Sequence, residues 1–319
     1  MSNRIKTIFM GTPELAKIGL KTLIDSDFFD ISLIVSQEDK TAGRGMKTIK
    51  TPVKVLAEEN DIKILQPKRI KEITEDIKEI KPDLIVVIAY GKIIPKEILD
   101  IPKYGCINVH GSLLPKYRGS SCVQATILNG DMEGGITIME MDEQMDTGNI
   151  IKKIPINLSI EETSQSLMEK IKELTKNNLV KILNDYIEGN IKSEAQENDL
   201  ATYVKMIKKE DGYLNFNETA QIIERKSRAY FPWPGVYAFI EKESLPKKKI
   251  LFKILKLSDV FTEDSSHKVG ELFLKDGQLL VKCHDKAIII EELQLEGKKA
   301  TKSEEFLKGN AWILGKILK

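Results

Sequence analysis

Asn108, His110 and Asp146 are the three side chains whose types and spacing could do chemistry together in this sequence. The stretch CINVH (106–110) begins like a buried strand, yet it sets an amide and one of the chain's three histidines among apolar residues. Side chains alternate across a strand, so Asn108 and His110 project from one face while Val109 points to the other. Such a pair can aim two donors at a single point. Taken alone, the strand equally describes a hydrogen-bonded core histidine beside a structural asparagine, because buried polar groups are generally satisfied. A second segment, GGITIMEMDEQMDTGNIIKKIPI (134–156), reads as strand, acidic loop, strand, with Asp142 and Asp146 in the loop and Gly148 turning the chain. Strands adjacent in sequence tend to be neighbours in space, which brings this loop to the rim that holds His110. A carboxylate there can orient the imidazole and accept a proton, while amide and imidazole stabilise an oxyanion. That set suits acyl transfer to an amine through a tetrahedral intermediate, with no metal and no covalent nucleophile. Without the partner strand, the two aspartates read as a solvated acidic turn.

These residues need elements to hold them. KTIFMG (6–11) is a short β-rich run, and Thr12-Pro13 after it suits the start of a helix over 13–24. ISLIVS (31–36) is a strand, 52–60 a helix, and DLIVVIAYG (83–91) an apolar run of the kind buried on both faces of a parallel sheet. A short helix near 95–100 then leads into CINVH. Alternation of this kind predicts βαβ units in a doubly wound, Rossmann-like open sheet, whose ligands bind beyond the carboxyl ends of the strands. Ser159 and Glu162 form a capping-box pattern that opens a helix over about 160–188. Beyond Gly189 the chain is polar and unpatterned, then turns to short strand-like runs with hairpin signals at Asp211-Gly212 and Asp276-Gly277. The expected organisation is therefore an α/β domain over 1–189, a linker over 190–206 and a small, mostly β, oligonucleotide-binding-type barrel over 207–319.

Bulk properties exclude several classes. The chain has 319 residues, 41% hydrophobic and 30% charged, as expected of a soluble globular protein. Its net charge is +1, although residues 207–319 hold 21 Lys and Arg against 17 Asp and Glu. Cys106, Cys122 and Cys283 form no CxxC pair and have no histidine at zinc-ligand spacing, so reduced thiols in the cytoplasm are expected and no metal. No run approaches the roughly 20 apolar residues of a membrane span, nor the core of a signal peptide. Gly11 follows the first strand without a GxGxxG, which disfavours a dinucleotide oxidoreductase.

NVHGSLLPKYRG (108–119), followed by MDEQMDTG (141–148), resembles the formyltetrahydrofolate-dependent formyltransferases. That resemblance implies Asn108, His110 and Asp146 as the catalytic trio and Ser112, Leu113, Leu114 and Pro115 as a folate-binding turn, with 10-formyltetrahydrofolate as formyl donor. GTPELA (11–16), DKTAGRGMK (39–47), TPVKVLAEE (51–59), VIAYGKIIP (87–95), TYVKMIKKEDGYLNF (202–216), RAYFPWPGVY (228–237) and EGKKA (296–300) extend it. Together they resemble the branch of the family that acts on initiator methionyl-tRNA, across nearly the whole chain. The sugar-nucleotide branch is the alternative; as a rule it lacks the GRG-containing insertion. The resemblance implies a cytoplasmic monomer in translation initiation whose partners are folate and initiator methionyl-tRNA.

The insertion carries Arg44, Lys47 and Lys50 around Gly43 and Gly45, a basic finger suited to phosphates and base edges. In the family it enters the acceptor stem. Lys208 and Lys209 are further tRNA candidates. One departure stands beside the folate turn: the family's usual Ala-Ala-Pro-Ile is Ser120-Ser121-Cys122-Val123 here. Trp233, between two prolines, is expected to be a packing anchor between the domains.

Overall fold

The run Leu84–Ile88 is buried at all five positions, which is possible only where both faces of a sheet are covered. In the computed structural model it lies inside a seven-stranded sheet. The order is Ile150–Asn157, Glu133–Glu140, Cys106–His110, Leu84–Ile88, Ile5–Gly11, Phe29–Val35 and Ile64–Leu65. Neighbours from Cys106–His110 to Ile64–Leu65 pair in parallel, and the two strands beyond Cys106–His110 are antiparallel. Ile150–Asn157, with Lys152, Lys153 and Pro155, has the charged and proline-bearing composition that keeps a sheet edge from pairing further.

The structure describes residues 4–42, 47–242 and 248–319. The chain divides into two compact units, one comprising Met1–Cys122, Glu133–Asn157 and Met168–Lys205, the other Val123–Met132, Leu158–Leu167 and Met206–Lys319. The first holds the sheet. A core of Ile8, Met10, Leu33, Val35, Ile85 and Val87 packs one of its faces against Ile70, Ile77 and Ile98.

Several helix starts differ from the sequence reading, each for a local reason. Glu14–Ile24 begins after Pro13 with no side-chain cap, because the Thr12 hydroxyl turns instead to the Tyr90 carbonyl at 3.4 Å. The long helix is Ser164–Ile187. Thr163 and Ser166 exchange hydrogen bonds at its start, while Glu162 reaches back only weakly to the Ser159 N–H at 3.4 Å. The flanks of the expected basic finger, Lys40–Ala42 and Lys47–Ile49, pair as a short antiparallel hairpin; Arg44 lies outside the described residues.

The second unit is a curled antiparallel sheet in the order Val236–Lys242, Lys248–Glu263, Lys286–Leu295, Gln278–Lys282 and Leu272–Lys275. Register shifts along Lys248–Glu263 let one long strand bend. Asp276 and Gly277 both take left-handed φ, 52° and 77°, and make the expected hairpin turn. Asp211-Gly212 does not; it closes a 3-10 turn, Lys209–Gly212, where a side chain on Gly212 would meet the Gly235 carbonyl at 2.1 Å. Trp233 is 56% exposed.

Residues 190–206, read as a linker, are laced to the first unit. Glu194 bridges Ile150, and Tyr203–Val204 pairs in parallel with Arg118–Gly119. Gly119 sits at φ +116°, and an added Cβ there would lie 2.2 Å from the Val204 carbonyl oxygen. Gly119→Ala should therefore lower stability by about 2–4 kcal/mol through strain and lost pairing. A urea-denaturation midpoint equal to that of the unaltered protein would refute this.

Candidate active site

Cys106–His110 ends at the carboxyl edge of the parallel sheet, and the chain then folds back through Ser112–Gly119. That return depends on Thr137 of the neighbouring strand. Its hydroxyl donates to the Ser112 carbonyl at 2.7 Å and accepts the Leu114 N–H at 3.0 Å. The Ser112 hydroxyl is spent on the Lys116 carbonyl at 2.7 Å, and Leu114 is fully buried. Of the four expected folate residues, Ser112 and Leu114 thus build the turn, Pro115 is buried, and Leu113 remains half-exposed. The Leu114–Pro115 bond is cis.

The turn delivers the Tyr117 carbonyl to His110 Nε2 at 3.0 Å, so Nε2–H is the donor there. On the other side of the ring, Nδ1 lies 3.7 Å from Asp146 Oδ2, an ion-pair distance longer than a hydrogen bond. His110 is 6% exposed. Burial opposes its charged form. The Cys122 sulfur within hydrogen-bond reach, the Asp146 carboxylate and the Tyr117 carbonyl outweigh that and push its pKa up to about 9. Asn108 is half-buried on the same face, and its amide has no hydrogen bond among the described residues.

Asp146 is held by its surroundings rather than by its own loop. Its backbone is left-handed, φ 57°, and its Oδ2 accepts the Gly119 N–H at 2.7 Å. Gln196 donates from Nε2 to the carbonyls of Asp146 and Gly148, both at 2.8 Å. Asp142 differs sharply: its carboxylate takes the Thr147 hydroxyl at 2.6 Å and the Gln144 N–H at 3.0 Å, closing an exposed turn. The structure therefore separates two aspartates that the sequence leaves side by side. It also brings in Cys122, Thr137 and Gln196, which sequence reasoning misses as site residues. Of these, only Cys122 carries any signal in the sequence, as a departure from the family pattern.

A groove of about 780 Å³ opens beside the acidic loop, lined by Leu99, Lys103, Met141, Asp142 and Gln144 among others, but by none of the trio. The hydrogen-bond geometry, not concavity, marks the site. Among the described residues, no group of three or more His, Cys, Asp or Glu is placed to hold a metal ion.

The remaining expected residues lie elsewhere. Lys50 is exposed and paired with Glu58 at 2.7 Å, and Lys47 opens the Lys47–Ile49 strand. Lys208 and Lys209 are exposed at the Lys209–Gly212 turn of the second unit.

The family described as formyl transferase matches residues 3–183, and its C-terminal domain matches residues 206–311. The chain is 41% identical over 309 residues to the methionyl-tRNA formyltransferase of Citrifermentans bemidjiense, covering 96% of this chain and 93% of that one. It is 40% identical to the methionyl-tRNA formyltransferase of Caldanaerobacter subterraneus subsp. tengcongensis, covering 99% and 100%. A solved N-formyltransferase from Helicobacter canadensis, in complex with folinic acid and dTDP-3-aminofucose, shares the fold. Its TM-score is 0.65 at 21% identity, over 90% of this chain and 98% of that one. Matched in sequence along nearly its whole length, the chain belongs to the methionyl-tRNA formyltransferases within the formyl transferase family.

Proposed function

We propose that this protein transfers the formyl group of 10-formyltetrahydrofolate to the α-amino group of methionyl-initiator tRNA, with Asn108, His110 and Asp146 as the reacting site. The observation that carries the residue roles is the placement of Asn108 and buried His110 on one face of a strand, with Asp146 Oδ2 3.7 Å from His110 Nδ1.

The amine attacks the formyl carbon, and the carbonyl oxygen becomes an oxyanion. Asn108 Nδ2–H and the His110 ring are the two groups that would steady it; His110 Nε2–H is already given to Tyr117, and the Cys122 sulfur, also within reach of the ring, must yield to the oxyanion. A charged imidazolium is the stronger donor of the two. Asp146 takes the proton the amine loses. As the C–N10 bond breaks, that proton goes to N10, so one formamide forms and tetrahydrofolate leaves. Gly119 N–H fixes one Asp146 oxygen and leaves the other for this transfer. Leu113 and the backbone of the Ser112–Pro115 turn are the folate contacts this geometry favours.

For the tRNA, Arg44 is the base-edge candidate, with Lys47, Lys50, Lys208 and Lys209 contacting phosphates. Lys50 must leave Glu58 to do so, which weakens its claim. This reading makes the protein a cytoplasmic monomer. It is 10-formyltetrahydrofolate with methionylated initiator tRNA, against the same donor with an amino-sugar nucleotide, that tests the function. Product from the sugar alone would overturn it.

Three outcomes are expected. Asn108→Ala, His110→Ala and Asp146→Ala should each lower kcat by roughly two to four decades; normal turnover by folded variants would make the trio structural. The second concerns pH. The folded-state pKa of His110, about 9, lies above the ordinary 6.5. The stability its charge confers is thus fully present below pH 6.5 and lost as pH rises through 9. The urea midpoint of the unaltered protein relative to His110→Gln should fall across that window, together with kcat; a constant difference would refute the charged state. Third, Arg44→Ala should impair use of initiator tRNA at least tenfold more than folate binding, and relax discrimination among tRNAs. Equal loss of both would assign that loop to the folate cleft.

A further inference from the structure

Arg118 is only 1% exposed. Its guanidinium gives Nε–H and Nη2–H to Gln196 Oε1 at 3.1 and 2.8 Å. It gives a second Nη2–H to Asn198 Oδ1 at 2.8 Å, and Nη1–H to the Tyr203 hydroxyl at 2.8 Å. Every one of these acceptors is neutral, and no carboxylate pairs with this cation among the described residues. Burying a guanidinium without a counter-charge is expensive, and a strap of chain could be pinned more cheaply by apolar side chains. The arrangement calls for a use.

Gln196 shows where that use leads. Its oxygen is filled by Arg118, and both hydrogens of its Nε2 go to the carbonyls of Asp146 and Gly148. A primary amide has two donors and a two-lone-pair acceptor, so no capacity remains. A cation on the oxygen polarises the amide and strengthens its N–H donors, as chains of hydrogen bonds do in a low-dielectric interior. Those donors hold the two carbonyls that flank the left-handed turn at Asp146, a conformation that costs a non-glycine residue free energy. The residue after Arg118, Gly119, holds the Asp146 carboxylate by its N–H. Arg118 therefore reaches Asp146 by two short routes, through Gln196 to the backbone and along its own chain to the side chain.

We infer that Arg118 and Gln196 are positioning residues for formyl transfer, and that their clamp on the Asp146–Gly148 turn holds the Asp146 carboxylate beside His110, with one oxygen toward the ring and the Gly119 N–H and the other left to accept the proton. Neither residue touches the reacting atoms. The inference rests on Asp146 acting in the reaction proposed above.

Gln196→Glu separates positioning from folding. A glutamate keeps the size of glutamine and gains a charged pair with Arg118, but it cannot donate to the two carbonyls. The folded full-length variant should lose kcat at least tenfold, with KM for folate and tRNA within about threefold. A residue that only holds the strap would leave kcat intact in a variant of equal stability. Gln196→Met, which fills the space with no donor or acceptor, should show the same split between kcat and KM, at a lower melting temperature, and serves if the glutamate variant does not fold. Loss of folding in both would make Gln196 structural and overturn the inference.

The double variants with Asp146→Ala complete the test. If Gln196 acts through Asp146, adding Gln196→Glu to Asp146→Ala should lower kcat by less than twofold further. A multiplicative loss would place its effect elsewhere and overturn the inference. Arg118→Lys, a cation without the fork, should fall between Arg118→Met and the unaltered protein in kcat; equal turnover in all three would remove Arg118 from the clamp. An unaltered protein that formylates no methionyl-tRNA would instead refute the function, whatever the variants do.

Discussion

A histidine buried to a few per cent exposure, with its pKa held up, must have its charge answered by the protein. Most of the first unit's irregular backbone follows from that one requirement at His110. The Tyr117 carbonyl reaches Nε2 only because the chain doubles back after the strand, and that return is built on Thr137, Ser112 and Leu114. The Asp146 carboxylate stands 3.7 Å from the other nitrogen only because its residue is left-handed and pinned from two sides. A neutral imidazole would need less. The cost of burial is recovered only with the carboxylate, the sulfur and the carbonyl arranged together.

Elements whose identity rests on apolar periodicity are legible in the sequence. LIVVI reads as a doubly covered strand and is one, and alternation along CINVH is enough to put Asn108 and His110 on one face. Polar lacing is not legible, because a serine or glutamine looks the same whether it faces water or a buried partner. Ser159–Glu162 promises a helix start, yet Thr163–Ser166 supplies it four residues later. Asp211-Gly212 has the letters of a hairpin, but its glycine serves the close passage of the Gly235 carbonyl. The stretch around Gln196 reads as a linker for the same reason. Its polar composition suits solvent, while its partners are Arg118 and two carbonyls that lie far off in sequence.

The trio itself rests on a mixture of warrants. Spacing justifies treating Asn108 and His110 as a pair, but it cannot choose between Asp142 and Asp146. The family resemblance points to Asp146, and the two aspartates differ in their surroundings: Asp142 spends its oxygens on Thr147 and Gln144, whereas Asp146 lies between the Gly119 N–H and His110. The basic residues follow a similar rule. Lys50 carries a charge that Glu58 already meets, so its count in a tally of basic groups overstates what it can offer a phosphate.

The strap over Glu194–Val204 also fixes an order of events during synthesis. Asn108, His110 and Asp146 leave the ribosome well before Gln196 and Tyr203, and a chain grows by roughly 5–20 residues per second. For several seconds, then, a nascent chain holds all three side chains proposed to react but neither the amide that clamps the Asp146 turn nor the strand that pairs with Arg118–Gly119. During that interval the buried guanidinium of Arg118 lacks every side-chain acceptor it later uses. The sheet can form vectorially as its strands emerge, but the site closes only when the last residues of the first unit fold back onto its middle.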